Sequence, residues 1–133
     1  MTTTPTPSVH VLSPSNDLVY TFVLEEVDPA TFVLGPATTG AVTCFLSTSN
    51  LSNATAITGL TRPAVYIGGA NGYPDGTWGV EFDADDLTPA LLQPIFEVSP
   101  APTPYLMIVR GGAVRRYITL KYQKALKAEL TQV

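Results

Sequence analysis

Short apolar runs alternate with turn-forming residues along most of the chain. Residues 18–24, for example, are rich in the β-branched and aromatic side chains that strands favour. In residues 77–82, the side chains of Trp78, Val80 and Phe82 fall on one face, which is the period of a half-buried strand. Seven or eight such runs follow one another, separated by turns. This pattern predicts an all-β fold.

The clearest predicted hairpin lies in the last third of the chain. Two strand-like runs, residues 105–110 and 114–122, are joined by Gly111 and Gly112, and a Gly-Gly pair between such runs is typical of a tight turn. Within the second run, apolar and polar residues alternate in part. The sequence therefore predicts two adjacent antiparallel strands here.

One short helix is predicted after the amphipathic strand. Thr88 is a good capping residue, and Pro89 suits the first position of a helix. Asp85 and Asp86 precede them, where acidic side chains suit the positive end of the helix dipole. Pro94 is expected to end the helix within about two turns, because proline lacks the N–H that a helix interior needs.

Shorter elements are expected in the first half. A turn at residues 28–31 contains Asp28 and Pro29 and leads into a predicted strand at residues 32–34. A further short strand is expected at residues 56–57. With these elements included, the predicted strands follow one another at intervals of about 8–15 residues, which is typical of a β-sandwich.

An Ig-like antiparallel β-sandwich is the leading expectation for the fold class. The chain has a single cysteine, Cys44, so the disulfide of true immunoglobulin domains is absent. At 133 residues the chain fits one domain. We expect an extended Thr/Pro arm over residues 1–16, the sandwich over residues 17–122, and a tail over residues 123–133 that can form a short C-terminal helix.

Composition narrows the functional classes. Apolar residues make up 45% of the chain and charged residues 14%, which favours a folded body over disorder. The most apolar stretch, residues 105–109, is far shorter than the roughly 20 residues that cross a bilayer. The formal charge of −4 argues against nucleic acid as the main partner. The N-terminus lacks the basic start and apolar run of a signal peptide, so synthesis in the cytoplasm is expected.

The charges are unevenly placed along the chain. Six of the seven basic residues lie in the last 24 residues, whereas nine of the eleven acidic residues precede Glu97. This arrangement predicts a basic end and an acidic end, which suits head-to-tail contacts between chains. The alternative interpretation is a solvated strand and tail.

The residues that usually carry catalysis are sparse. His10 is the only histidine, and Cys44 has no basic neighbour in sequence that would lower its pKa. The segment at residues 68–72 is glycine-rich but lacks the Lys-Ser or Lys-Thr pair of a phosphate-binding loop. We therefore predict a non-enzymatic protein with no catalytic site and no cofactor.

Four acidic residues fall within six positions: Glu81, Asp83, Asp85 and Asp86. Oxygen-rich loops can bind calcium, but the spacing of an EF-hand loop is absent. Glu81 and Asp83 are expected on the solvent face of their strand, and the two later acids are attributed to helix capping. No metal site is predicted, although ion binding by this cluster stays open.

Two stretches resemble a known class of proteins. The run from Gly76 to Phe82, followed by Leu87-Thr88-Pro89, is similar to a segment of small Ig-like structural proteins in tailed-bacteriophage virions. The later run from Tyr105 through the two glycines to Arg116 is similar to their final hairpin. The resemblance implies a neck, head–tail connector or capsid decoration protein. Such a protein would assemble in the host cytoplasm and act in the virion.

The same resemblance implies that other virion proteins are the partners and that the chain forms a homo-oligomeric ring or array, with no membrane partner. Binding is expected on the arm, the basic hairpin and the tail, that is at Pro5, Pro7, Arg110, Arg115, Arg116, Lys121, Lys124 and Lys127. The alternative is a ligand- or carbohydrate-binding, adhesin-like module with Tyr66, Tyr73 and Trp78 as an aromatic platform.

Overall fold

The computed structural model describes residues 10–124. In this range eleven strands and one helix follow in chain order: β1 (Val11–Leu12), β2 (Leu18–Val23), β3 (Glu25–Val27), β4 (Leu34–Pro36), β5 (Val42–Ser47), β6 (Thr61–Pro63), β7 (Val65–Tyr66), β8 (Thr77–Phe82), α1 (Pro89–Phe96), β9 (Tyr105–Arg110), β10 (Ala113–Thr119) and β11 (Lys121–Tyr122).

Two antiparallel sheets form the body of the protein. One has the strand order β10-β9-β5-β6 and the other the order β2-β8-β7. Strands far apart in sequence are neighbours in space, since β5 pairs with β9 and β2 pairs with β8. These are the crossed connections of an Ig-like sandwich. The predicted fold class, an all-β sandwich with one short helix, is confirmed.

The core lies between the two sheets and is closed at one end by α1. Cys44, Leu46 and Ile108 come from the four-stranded sheet, and Phe22 and Phe82 come from the three-stranded sheet; all are buried. The predicted alternation in β8 is confirmed, because its apolar side chains are buried while Glu81 between them is exposed. Burial of these faces supplies the main stabilising free energy.

Helix α1 begins as predicted and has about the predicted length. Thr88 is the N-cap, and its Oγ1 accepts a hydrogen bond of 3.2 Å from the backbone N–H of Leu91. Pro94 lies inside the helix, which continues to Phe96. The helix thus ends two residues after Pro94, and its eight residues match the predicted length of about two turns. The missing N–H of Pro94 removes one hydrogen bond, while burial of Leu92 and Phe96 on one face holds the last turn against the core.

Two short predicted strands in the first half are wrong. The strand expected at residues 32–34 begins only at Leu34, because Phe32 has a φ of 57° and belongs to the turn. Its N–H donates to the carbonyl of Asp28 at 2.7 Å, so the turn is longer than its Asp-Pro signal indicates. Residues 56–57 form no strand. Ile57 is instead buried in a loop, and its backbone N–H donates to the carbonyl of Leu46 at 2.8 Å.

The segment before residue 17 contacts the domain. β1 pairs in parallel with β11 in a separate two-stranded sheet, and Leu12 is buried in the core, while the first strand of the sandwich, β2, begins at Leu18. The N–H of Gln123 donates to the carbonyl of Leu12, so the start of the predicted tail is also tied to the domain. The rest of the expected arm and the expected C-terminal helix lie outside the described residues. Within the described range, α1 has eight residues, and no helix has the length and apolar character needed to cross a membrane.

Candidate protein-interaction surface

A two-stranded ribbon leaves the sandwich directly after β2. It consists of β3, the turn that follows, and β4, and it spans residues 25–36 (hereafter the ribbon). Its strands pair only with each other among the described strands, and every side chain of β3 is exposed. An isolated two-stranded hairpin is at best marginally stable in water, so the ribbon depends on its root and on whatever covers it.

The tip of the ribbon is apolar. Phe32 is 82% exposed, Val33 61% and Leu34 58%, and Val27 on the facing strand is 54% exposed. Single exposed apolar residues are normal on a protein surface, whereas a contiguous group rimmed by polar residues marks an interaction surface. Four large exposed apolar side chains on one small ribbon make its tip the candidate interaction surface.

The root of the ribbon is fixed against β8. The N–H of Leu24 donates to the carbonyl of Gly76 at 2.9 Å, and the N–H of Ala37 donates to the carbonyl of Leu24 at 2.9 Å. Gly76 has a φ of 89°, and a Cβ there would lie 2.9 Å from the carbonyl oxygen of Leu24 and 3.0 Å from the Cβ of Pro36. Only glycine fits this close approach.

Three of the predicted interface arginines lie beside the ribbon. Arg110 forms an ion pair with Glu26, with 2.8 Å between Nη2 and Oε2. Arg116 donates through Nη1 to the carbonyl of Val23 at 3.2 Å, and Arg115 donates through Nε to the carbonyl of Arg110 at 3.0 Å. Together they line a cleft against β3.

A bulge in β10 explains why both neighbouring arginines reach this cleft. Regular alternation predicts that Arg115 and Arg116 point to opposite faces, so that only one of them serves a given surface. The register shifts between Val114 and Arg116, leaving Arg115 as an extra residue without a partner on β9. Both arginines are exposed, and that prediction is therefore wrong.

Of the other predicted interface residues, Lys121 and Lys124 are described by the structure, and neither lines the cleft. Lys121 is an exposed residue of β11, and its backbone N–H donates to the carbonyl of His10. Lys124 is exposed and follows β11. Pro5, Pro7 and Lys127 lie outside the described residues.

An acidic cluster lies at the other end of the β2–β8 pair. Carboxylate oxygens of Asp17, Glu81 and Asp83 all lie within 4.8 Å of one another, and all three residues are exposed. Asp17 was missed at the sequence level because it is far along the chain from the others and meets them only through the pairing of β2 with β8. Calcium takes roughly six to eight oxygen ligands, and three carboxylates can supply about three to six of them, depending on whether each binds through one oxygen or two.

The N-cap of α1 is Thr88, so neither Asp85 nor Asp86 caps the helix, contrary to the attribution of these two acids to capping. Asp86 instead forms an ion pair of 2.6 Å with Arg62, whose guanidinium also lies over the ring of Phe82. This pair ties the segment before the helix to β6.

The reactive residue types are engaged in packing. Burial raises the pKa of the Cys44 thiol to about 12, so the thiolate is not formed near neutral pH. The ring of His10 packs edge-on against Tyr20, with 4.4 Å between their centroids. The pKa of Tyr122 is also raised, first by burial and then by its hydrogen bond to Glu97.

A shallow apolar groove of about 450 Å³ lies on the outer face of the three-stranded sheet. Its apolar lining includes Val19, Val65, Ile67 and Tyr73, and Gly79 also lines it. A Cβ at Gly79 would lie 3.5 Å from the Cδ1 of Ile67, which is an ordinary van der Waals distance. The charged residues of the lining are Glu81 and Arg62.

The aromatic residues considered for a sugar platform do not share one surface. Trp78 is buried, and its indole N–H donates to the carbonyl of Ala37 at 2.9 Å. Tyr66 packs edge-on against Trp78, and its hydroxyl accepts a hydrogen bond from the N–H of Gly76. Of the three rings, only that of Tyr73 belongs to an exposed residue.

A scan against protein-family models found no match for this chain, and a search of curated proteins found no relative.

Proposed function

We propose that the protein is a non-enzymatic structural subunit of a tailed-bacteriophage virion and binds neighbouring subunits through the ribbon. It belongs to the neck or head–tail connector, or to the capsid surface. The resemblance of residues 76–89 and 105–116 to Ig-like virion proteins is the basis for this placement.

The observation that carries the binding function is the exposed apolar tip of the ribbon. Phe32, Val33 and Leu34 face solvent although their transfer from water would be favourable by about 25 cal/mol per Å² of apolar area. The tip sits on a two-stranded element whose stability would gain from a covering partner. A partner protein can cover the tip of the ribbon without this chain having a binding pocket.

The arginines at the root of the ribbon supply specificity. Arg115 and Arg116 line the cleft, and each donates through one guanidinium nitrogen to a backbone carbonyl. Fixed guanidinium groups are well suited to carboxylates on a partner surface. Apolar contact at the tip and charged contact at the root would then fix both the affinity and the orientation of the partner.

The adhesin-like alternative has less support. A sugar-binding platform needs exposed, coplanar aromatic faces, but Trp78 is buried and Tyr66 is engaged with it. Tyr73 alone lines the outer groove. Loss of glycan-array binding in a Tyr73→Ala variant would support that alternative.

The proposal is tested by purifying the phage particles encoded with this chain and measuring its copy number by quantitative mass spectrometry. We expect a fixed ratio to the major capsid protein. Light scattering with each co-encoded virion protein should show a complex that a Phe32→Ser variant weakens and a Leu51→Ser variant does not, since Leu51 is also exposed but lies far from the ribbon in sequence. Particles that lack the chain would contradict the proposal.

A further inference from the structure

We infer that a second copy of this chain is a partner of the ribbon, and that the ribbon of one copy docks in the outer-sheet groove of the next. This inference rests on the proposed function and specifies the partner and the surface. It is carried by two surfaces on one chain. One is an exposed apolar tip next to a cleft in which three arginines face two glutamates, and the other is an apolar groove that adjoins three carboxylates and is also lined by Arg62.

The donor surface is the ribbon with its arginines. Its tip presents Phe32, Val33 and Leu34, and Arg115 and Arg116 lie at its root. The apolar part is convex because the tip lies on a turn between two short strands. A convex apolar element flanked by guanidinium groups calls for a concave apolar surface flanked by carboxylates.

The acceptor surface has those properties. The groove is lined by apolar side chains that include Val19, Val65 and Ile67, and its charged lining residues are Glu81 and Arg62, of which Arg62 is already paired with Asp86. Glu81 belongs both to the groove and to the acidic cluster with Asp17 and Asp83. None of these three carboxylates has an ion-pair partner among the described residues, so their mutual repulsion would be relieved by arginines from another copy.

The two charged groups lie at opposite ends of the β2–β8 pair. The carbonyl of Val23, at the end of β2, accepts from Arg116, whereas Asp17 precedes Leu18 at its beginning. A strand of this length spans about 17–20 Å. The contact is therefore head-to-tail, with different surfaces on the two copies, and such contacts generate rings or open arrays rather than closed pairs.

Two single substitutions test the ribbon and the groove independently. Val33→Asp alters the ribbon and Val65→Asp alters the groove, at side chains that are 61% and 63% exposed, so neither change disturbs the core. Leu51→Asp is the matched control, at a residue that is also 63% exposed. Sedimentation velocity of the full chain should show concentration-dependent oligomers for the native protein and the control. Each of the two test variants should associate at least about tenfold more weakly.

Mixing the two test variants gives the decisive result. The Val65→Asp chain keeps an intact ribbon and the Val33→Asp chain keeps an intact groove, so an equimolar mixture should form a one-to-one dimer that neither variant forms alone. A mixture that stays monomeric would overturn the inference. Unimpaired association of the Val65→Asp chain would also overturn it, since the ribbon would then bind elsewhere.

The inferred pairing of arginines with carboxylates between two copies is tested separately. Arg115→Glu and Glu81→Arg should each weaken association, and a chain carrying both changes should regain part of it. Association that requires Ca²⁺ and is abolished by EDTA would assign the carboxylates to a metal and overturn their pairing with arginine. A native chain that is monomeric throughout, yet still cross-links to another virion protein through residue 32, would refute the self-contact while leaving the proposed function intact.

Discussion

At the scale of single residues, burial decides what the reactive groups can do. Cys44 is fully buried on β5 between the two sheets, and the desolvation that raises its pKa also shields its sulfur from reagents. Its sequence context, an alternating strand with no basic neighbour, already indicates a packing role. The structure adds the degree of burial, which depends on both sheets.

We therefore predict that the folded protein resists alkylation at Cys44. Incubation with iodoacetamide at pH 8 should leave the native mass unchanged, because the thiolate population is negligible at a pKa of about 12. In denaturant one adduct per chain should form, which mass spectrometry would detect. Rapid labelling of the native protein would contradict the burial.

Trp78 is held by both packing and a hydrogen bond. Trp78→Phe should lower the free energy of unfolding by about 1–3 kcal/mol, because the buried carbonyl of Ala37 loses its donor. Denaturant titration followed by circular dichroism measures this change. Tyr73→Phe removes a hydroxyl from an exposed residue and should stay close to the native stability. Equal effects of the two variants would count against the role of the indole N–H.

At the scale of elements, the junction between β2 and the ribbon is the most constrained point. Gly76 and Gly72 both have positive φ angles, but a Cβ at Gly72 would meet nothing within 4 Å. A side chain at either glycine would therefore be strained by the positive φ angle. Only at Gly76 would its Cβ also meet neighbouring atoms.

We predict that Gly76→Ala is more destabilising than Gly72→Ala by at least about 1 kcal/mol, because its Cβ meets the carbonyl of Leu24 and the ring of Pro36. Urea denaturation of both variants gives the comparison. If the two variants unfold at the same urea concentration, the ribbon root is not packed as described.

The elements differ in how far the sequence determines them. β8 and the β9–β10 hairpin could be predicted, because alternation and a Gly-Gly turn are local signals. The ribbon could not. β3 contains two adjacent glutamates, and its pairing with β4 depends on a turn closed by the Asp28 carbonyl and the Phe32 N–H. The bulge that brings Arg115 into the cleft likewise depends on pairing with β9.

At the scale of the whole molecule, the fold brings together charges that lie far apart in the sequence. The arginines of β9 and β10 share their cleft with Glu25 and Glu26, while Asp17, Glu81 and Asp83 meet at the far end of the β2–β8 pair. The predicted basic end is therefore a mixed surface, in which Arg110 is paired with an acidic residue from the first half of the chain. Asp17 could not be assigned from sequence spacing, since only the sheet register brings it to Glu81.

The central claim is that the ribbon is the surface through which this protein binds its neighbours. The most direct measurement places a photo-crosslinking amino acid at position 32 and, as control, at position 51, and irradiates assembled particles. We predict covalent adducts to a virion subunit from position 32 and none above background from position 51. Absence of adducts from position 32, or equal yields from both positions, would contradict the account.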